Sequence, residues 1–143
     1  CKPQTFMNLS GDSVRALCDF YKISTENVIV LHDEIDQPFA HMKVQTQRRH
    51  GGHNGIRDIH EKLGHNKYFR LRLGVGRPAD PRFDVADYVL SNFNKEEMSE
   101  LPDFLKLATA ALVSLIFTGY EKTANTFNGA TSLPKNAAEP VKK

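Results

Sequence analysis

A chain of 143 residues sits near the commonest size for one compact domain and leaves little room for a second. Its 40% hydrophobic content is too high for a disordered polymer, so the chain is expected to fold. The net charge of +2 conceals segregation: residues 41–82 hold ten Lys or Arg against Asp58, Glu61 and Asp80, a surplus of +7, and the remainder carries −5. Such a stretch marks a polyanion-binding surface, with a solvated face as the alternative.

The longest apolar stretch, Ala110–Val113 followed by Leu115–Phe117, falls short of the roughly 20 residues that span a bilayer, and no membrane partner is expected. The start, Cys1-Lys2-Pro3-Gln4, has neither an initiating Met nor the basic-then-apolar pattern of a signal peptide, and reads as a chain cut into. Cys1 and Cys18 give no disulfide framework and no metal-type pair; a reducing cytoplasm is the expected compartment.

In chain order, Ser10-Gly11-Asp12-Ser13 precedes Val14, Leu17, Cys18 and Tyr21, spaced as one helical face, with Ser10 or Asp12 as the expected cap. Val28-Ile29-Val30-Leu31 predicts a strand buried on both faces, with His32-Asp33-Glu34 at its end. After the turn-like Asp36-Gln37-Pro38, residues 42–47 alternate as a further strand. Ile56, Ile59 and Leu63 predict a helix over 54–63, with Arg57, Asp58, Glu61 and Lys62 on its opposite side. Phe69, Leu71, Leu73 and Val75 have the two-residue period of a strand, and Tyr88-Val89-Leu90 reads as another. From Asn94, with Glu97 three residues on, apolar positions through Ile116 are helical, and Pro102 kinks that helix or opens its second half. Ala130 to Lys143 lacks any period and reads as a disordered tail, leaving a domain over 1–129. Interleaved strands and helices predict an α/β fold.

The chemistry concentrates in His50-Gly51-Gly52-His53-Asn54-Gly55. Glycines let backbone approach a ligand, and the following helix offers free amides, which favours an anion or a polar carbonyl. Asn54 adds a side chain that donates and accepts without titrating; an Asn-Gly turn with a helix cap is the plainer alternative. His50 and His53, with His32 and Asp33, raise a metal reading, but thiolate ligands and a helical His-Glu-x-x-His are missing, so no metal or other cofactor is expected. Asp33 follows a buried strand, where a carboxylate can orient an imidazole and stabilise its protonated form, or simply cap a turn. Phe6-Met7-Asn8-Leu9 alone is weak, and core packing with an Asn turn explains it equally well.

Taken together, residues 2–11 (KPQTFMNLSG), His32-Asp33-Glu34-Ile35-Asp36, Gly51-Gly52-His53-Asn54-Gly55 and residues 70–76 (RLRLGVG) resemble bacterial-type peptidyl-tRNA hydrolases in wording, order and spacing, from about Lys2 to about Phe127. The resemblance implies a monomeric, cytoplasmic esterase with a three-layer α/β/α sandwich around a mixed, twisted sheet. Such an enzyme cleaves the bond between a peptide and the 3′-terminal ribose of tRNA, which makes tRNA the partner. Residue by residue, it implies that Asp33 orients the catalytic histidine, and that Phe6, Asn8 and Asn54 contact the tRNA end or the peptide. Met7 and His53 match neighbours shaping the cleft, and Arg72, with Arg82 across a gap, matches the region gripping tRNA phosphates.

Two departures from the family pattern stand out. Gln47-Arg48-Arg49 replaces the usual glycine-rich run before His50, adding two charges beside the cleft and leaving the loop's conformation open. The family's first strand and the segment with the water-activating histidine have no counterpart here, and every histidine present aligns elsewhere. Losing a general base typically costs ~10²–10⁴-fold in rate, so this polypeptide alone is expected to be nearly inactive. A non-catalytic RNA-binding module of the same fold is the rival reading.

Overall fold

The computed structural model describes residues 1–134; the expected tail lies, from residue 135 on, outside the described residues. Backbone packing divides the described residues into two compact units, Cys1–Val30 with Thr46–Phe69, and Leu31–Gln45 with the described residues from Arg70 onward.

In the first unit a single 3-10 turn, Met7–Leu9, leads into helix α1, Ser10–Tyr21. The expected Ser10 or Asp12 cap does not form. Ser10 Oγ instead donates back to Met7 O at 2.8 Å, and the orphan amide of Gly11 is satisfied from another helix, by Asp58 Oδ2 at 2.7 Å. Asp12 pairs with Lys62 at 2.6 Å, which raises the Lys62 pKa, chiefly through that hydrogen bond. Helix α2, Asn54–Leu63, buries Ile56, Ile59 and Leu63 with Tyr68 and, partly, Val14, Val28 and Val30. Each such aliphatic side chain taken from water is worth about 1.5–3 kcal/mol. Asp58, expected on the solvent side, is buried because its carboxylate holds the start of α1.

The second unit carries helices α3, Val85–Leu90, α4, Lys95–Thr118, and α5, Tyr120–Phe127. Tyr88-Val89-Leu90 is helical rather than a strand. Asp84 caps that helix, accepting from the amides of Ala86 and Asp87 at 2.8 and 3.2 Å, and this local capping overrides β-branched propensity. The Asn94–Glu97 capping box forms in both directions, each bond 2.8 Å. Helix α4 runs on through Pro102 and buries Phe104, Leu107, Ala108, Ala111 and Leu115. It packs on α5, with Ser114 Oγ 2.8 Å from Thr123 Oγ1. By length and a hydropathy of 1.5 over its most apolar window, α4 matches a membrane span, as the core helix of a globular unit also can.

Strands β1, Ile29–Glu34, β2, Met42–Thr46, and β3, Phe69–Gly74, hydrogen-bond in the order β1-β3-β2. Bonds from Phe69 N to Val28 O and from Val75 N to Glu34 O advance together, so β1 and β3 are parallel. Bonds from Gln47 N to Asn66 O and from Gly74 N to His41 O run oppositely, so β2 is antiparallel to β3. The sheet is mixed and the class α/β, as expected. Burial on both faces falls on central β3, where Arg70, Leu71 and Gly74 are enclosed. Leu31 of β1, expected to be buried, is 45% exposed on an outer strand. Gly74 has no substitute, since a Cβ there would stand 2.1 Å from Pro38 O.

Candidate functional site

The first unit gathers one set of candidate residues around the start of α2. His53, with extended backbone, caps the helix: its Nδ1 accepts from the amides of Gly55 and Ile56 at 3.1 and 3.2 Å. An imidazole nitrogen that accepts two amides carries no proton, so the ring is held in one tautomer. Gly55 brings the preceding turn close, because a Cβ there would lie 2.6 Å from Met7 Sδ. Beside this contact a cleft of about 280 Å³ is lined by Asn8, Asn54, Arg57, Asp58 and Glu61. Arg57 donates through Nη2 to Asn54 Oδ1, which leaves the Asn54 amide hydrogens as donors for a ligand. Phe6, 81% exposed, stands just before this turn.

The segment entering α2 is tied down along its length. Gln47 adopts a left-handed φ of 53° and donates its amide to Asn66 O at 3.2 Å. Gly51 and Gly52 take φ of 63° and 85°, where a side chain is strained. His60, on α2, accepts from the buried Tyr68 hydroxyl at Nδ1, 2.7 Å, and donates from Nε2 to Arg48 O, 3.1 Å.

Asp33, Arg72 and Arg82 belong to the second unit. Asp33 is partly buried near the end of β1, and its carbonyl accepts from His32 Nδ1 at 2.7 Å. Arg72 is held inside the protein. Nε and Nη2 reach Glu34 Oε2 at 2.8 and 2.5 Å, and Nη1 reaches Gln45 Oε1 at 2.6 Å. Arg82 is exposed and paired with Asp80 at 2.9 Å; hydrogen bonding raises the arginine's pKa and lowers the aspartate's. Among the described residues no group of three or more His, Cys, Asp or Glu is arranged to hold a metal ion.

The family model described as peptidyl-tRNA hydrolase matches residues 1–136. The chain belongs to the peptidyl-tRNA hydrolase family. It is 59% identical to a protein named peptidyl-tRNA hydrolase from Bdellovibrio bacteriovorus over 90% of this chain and 68% of that one. It is 46% identical to one from Citrifermentans bemidjiense, over 89% and 66%. Among solved structures it is similar to peptidyl-tRNA hydrolase from Acinetobacter baumannii, with a TM-score of 0.72 and 34% identity, covering 90% of this chain and 66% of that one. The chain thus spans about two thirds of the length of the relatives it matches. The family resemblance carried by the four motifs is borne out.

Within this family frame the sequence reading missed three things. Arg57 and Glu61, read only as a solvent face, line the cleft; their i, i+4 spacing, starting three residues after Asn54, was the available signal. The Tyr68–His60–Arg48 chain of bonds joins residues 20 positions apart and left no local trace. Arg72, read as a phosphate grip, has its guanidinium engaged by Glu34 and Gln45.

Proposed function

We propose that this peptidyl-tRNA hydrolase relative acts on the ester joining a peptide to the 3′-terminal ribose of tRNA. The observation carrying this reading is the cleft that brings Asn8 and Asn54 together with Arg57. Two amides and a guanidinium offer neutral and charged donors to a carbonyl or phosphate oxygen. Met7 and His53 support that cleft from behind through packing and capping. Phe6 offers an exposed ring to a terminal base or a peptide side chain.

Asp33 enters this reading as the carboxylate that orients an imidazole base and stabilises its protonated form. None of the six histidines is assigned as that base. His50, His53 and His65 accept backbone amides at Nδ1, His32 and His41 bond carbonyls from Nδ1, and His60 is spent on Tyr68 and Arg48. In this reading the 143-residue chain by itself turns over slowly, as a single domain over residues 1–129, a monomer working in the cytoplasm. Arg82 and the basic stretch supply phosphate contact with little sequence preference and a steep salt dependence; Arg72 joins them only by leaving Glu34.

The test is hydrolysis of peptidyl-tRNA by protein verified at 16.1 kDa. Slow turnover with retained tRNA binding is expected. Fast hydrolysis by that species refutes the histidine assignment, and absence of tRNA binding refutes the substrate. In a longer version of the protein that supplies the histidine base, Asp33→Asn is expected to lower turnover and to leave binding within about twofold. The second reading is an RNA-binding module of the same fold without catalysis, in which Asp33→Asn changes no turnover even in that longer version.

A further inference from the structure

The loop Gln47–His50 carries the exposed side chains of Arg48 and Arg49, and its shape is fixed by contacts that an inert surface loop does not need. Tyr68 is 1% exposed, so its hydroxyl must find a partner inside the protein. That partner is His60 Nδ1 at 2.7 Å, and the opposite nitrogen of the same ring donates to Arg48 O at 3.1 Å. The carbonyl requires the proton on Nε2, which leaves Nδ1 to the Tyr68 hydroxyl. The ring also packs edge-on against Tyr68, 5.4 Å between centroids, and lies 6.4 Å from His50. His60 follows Arg57 by three positions, so the two side chains are neighbours on the surface of α2.

We infer that Arg48, Arg49 and Arg57 form a phosphate-binding strip beside the cleft, and that His60 is the positioning residue that latches its loop to α2. The ligand class is the phosphodiester backbone of an RNA strand entering the cleft lined by Asn8 and Asn54. Guanidinium groups are forked donors suited to phosphate oxygens, and Arg57 shares its fork with Asn54 Oδ1. Against them stand Glu61, on the cleft wall, and Asp58, whose carboxylate is already committed to Gly11 N. A latched loop presents its arginines without having to be ordered on binding. The inference rests on the tRNA reading above and adds to it a subsite and a residue that organises it.

The experiment measures the affinity of wild type, R48A/R49A, H60F, H60Q and the combined H60F/R48A/R49A variant for unacylated tRNA across a KCl series. Removing two phosphate contacts is expected to flatten the slope of log Kd against log salt by about 1–2. H60F keeps every Arg and removes both the latch to Arg48 O and the partner of the Tyr68 hydroxyl; it is expected to weaken binding about tenfold, the size of one or two net hydrogen bonds, with an unchanged slope. H60Q, whose amide can still donate to Arg48 O, recovers most of that loss. In the R48A/R49A background H60F costs no further affinity, and hydrogen exchange of the residue 47–50 amides rises in both variants that carry H60F and not in R48A/R49A.

An unchanged slope in R48A/R49A overturns the strip. Wild-type binding by H60F, or a loss that persists without the two Arg, overturns the latch. Should H60F lose its helical circular dichroism, H60Q and R48A/R49A decide in its place. A wild-type protein that fails to bind tRNA refutes the substrate reading instead, while exchange at residues 47–50 still tests the latch.

Discussion

Replacing Arg72 by Ala separates a structural tie from an RNA contact. The Arg72 and Glu34 side chains retain 18% and 12% of their exposure, and Gln45 is buried, so truncation strands a carboxylate and an amide in a largely dry place. Breaking a fully buried pair from one side costs 3–5 kcal/mol; the residual exposure here puts the loss near the lower end, about 3 kcal/mol. At this chain length that lowers Tm by roughly 10 °C. The exposed pair Arg77–Asp36, at 58% and 52%, is an internal control, and R77A should cost under about 1 kcal/mol. Replacing both partners, as E34L/R72M, should recover most of the stability, because neither side is left unpaired. Thermal and urea unfolding followed by circular dichroism measure these losses, with tRNA affinity taken in parallel. The reasoning fails if R72A melts within about 1 °C of wild type while its tRNA affinity drops with a flatter salt slope; Arg72 would then be working on phosphate, as the motif resemblance implies.

Three further outcomes follow from local geometry. Asn94→Ala removes the acceptor half of the capping box at the start of α4 and should destabilise by about 1 kcal/mol in urea unfolding; no change would mean that the helix start is held by packing alone. Gln47→Gly relieves a left-handed residue, φ 53°, and should stabilise by about 1 kcal/mol, an expectation that a lower urea midpoint contradicts. Tyr88 donates to Val75 O at 2.7 Å, and its pKa is raised by burial first and then by Glu97. Because the folded value lies above the unfolded one near 10, the stabilisation is complete below pH 10 and is lost as pH rises through the folded pKa. Alkaline absorbance titration of wild type minus Y88F should isolate a transition above pH 10, and a difference transition at or below 10 would contradict the assigned environment.

The sequence by itself determined the α/β class, the family, and those elements whose signals are local. Period-3.6 spacing of Ile56, Ile59 and Leu63, the alternation from Phe69, and the Asn94–Glu97 box each encode their element within a few residues, and each element forms where expected. Only the tertiary structure decided the fate of groups whose partners are distant in the chain. Asp58 looks like a solvent residue until Gly11 presents an amide. Arg72 reads as an unpartnered cation along the chain until Glu34 and Gln45 close on it. Gln47 holds a glycine-like backbone in a loop whose next residue, Arg48, is bonded by His60. In each case the deciding term is the cost of leaving a polar or charged group unpaired away from water, and periodicity along a chain carries no information about where the partner lies.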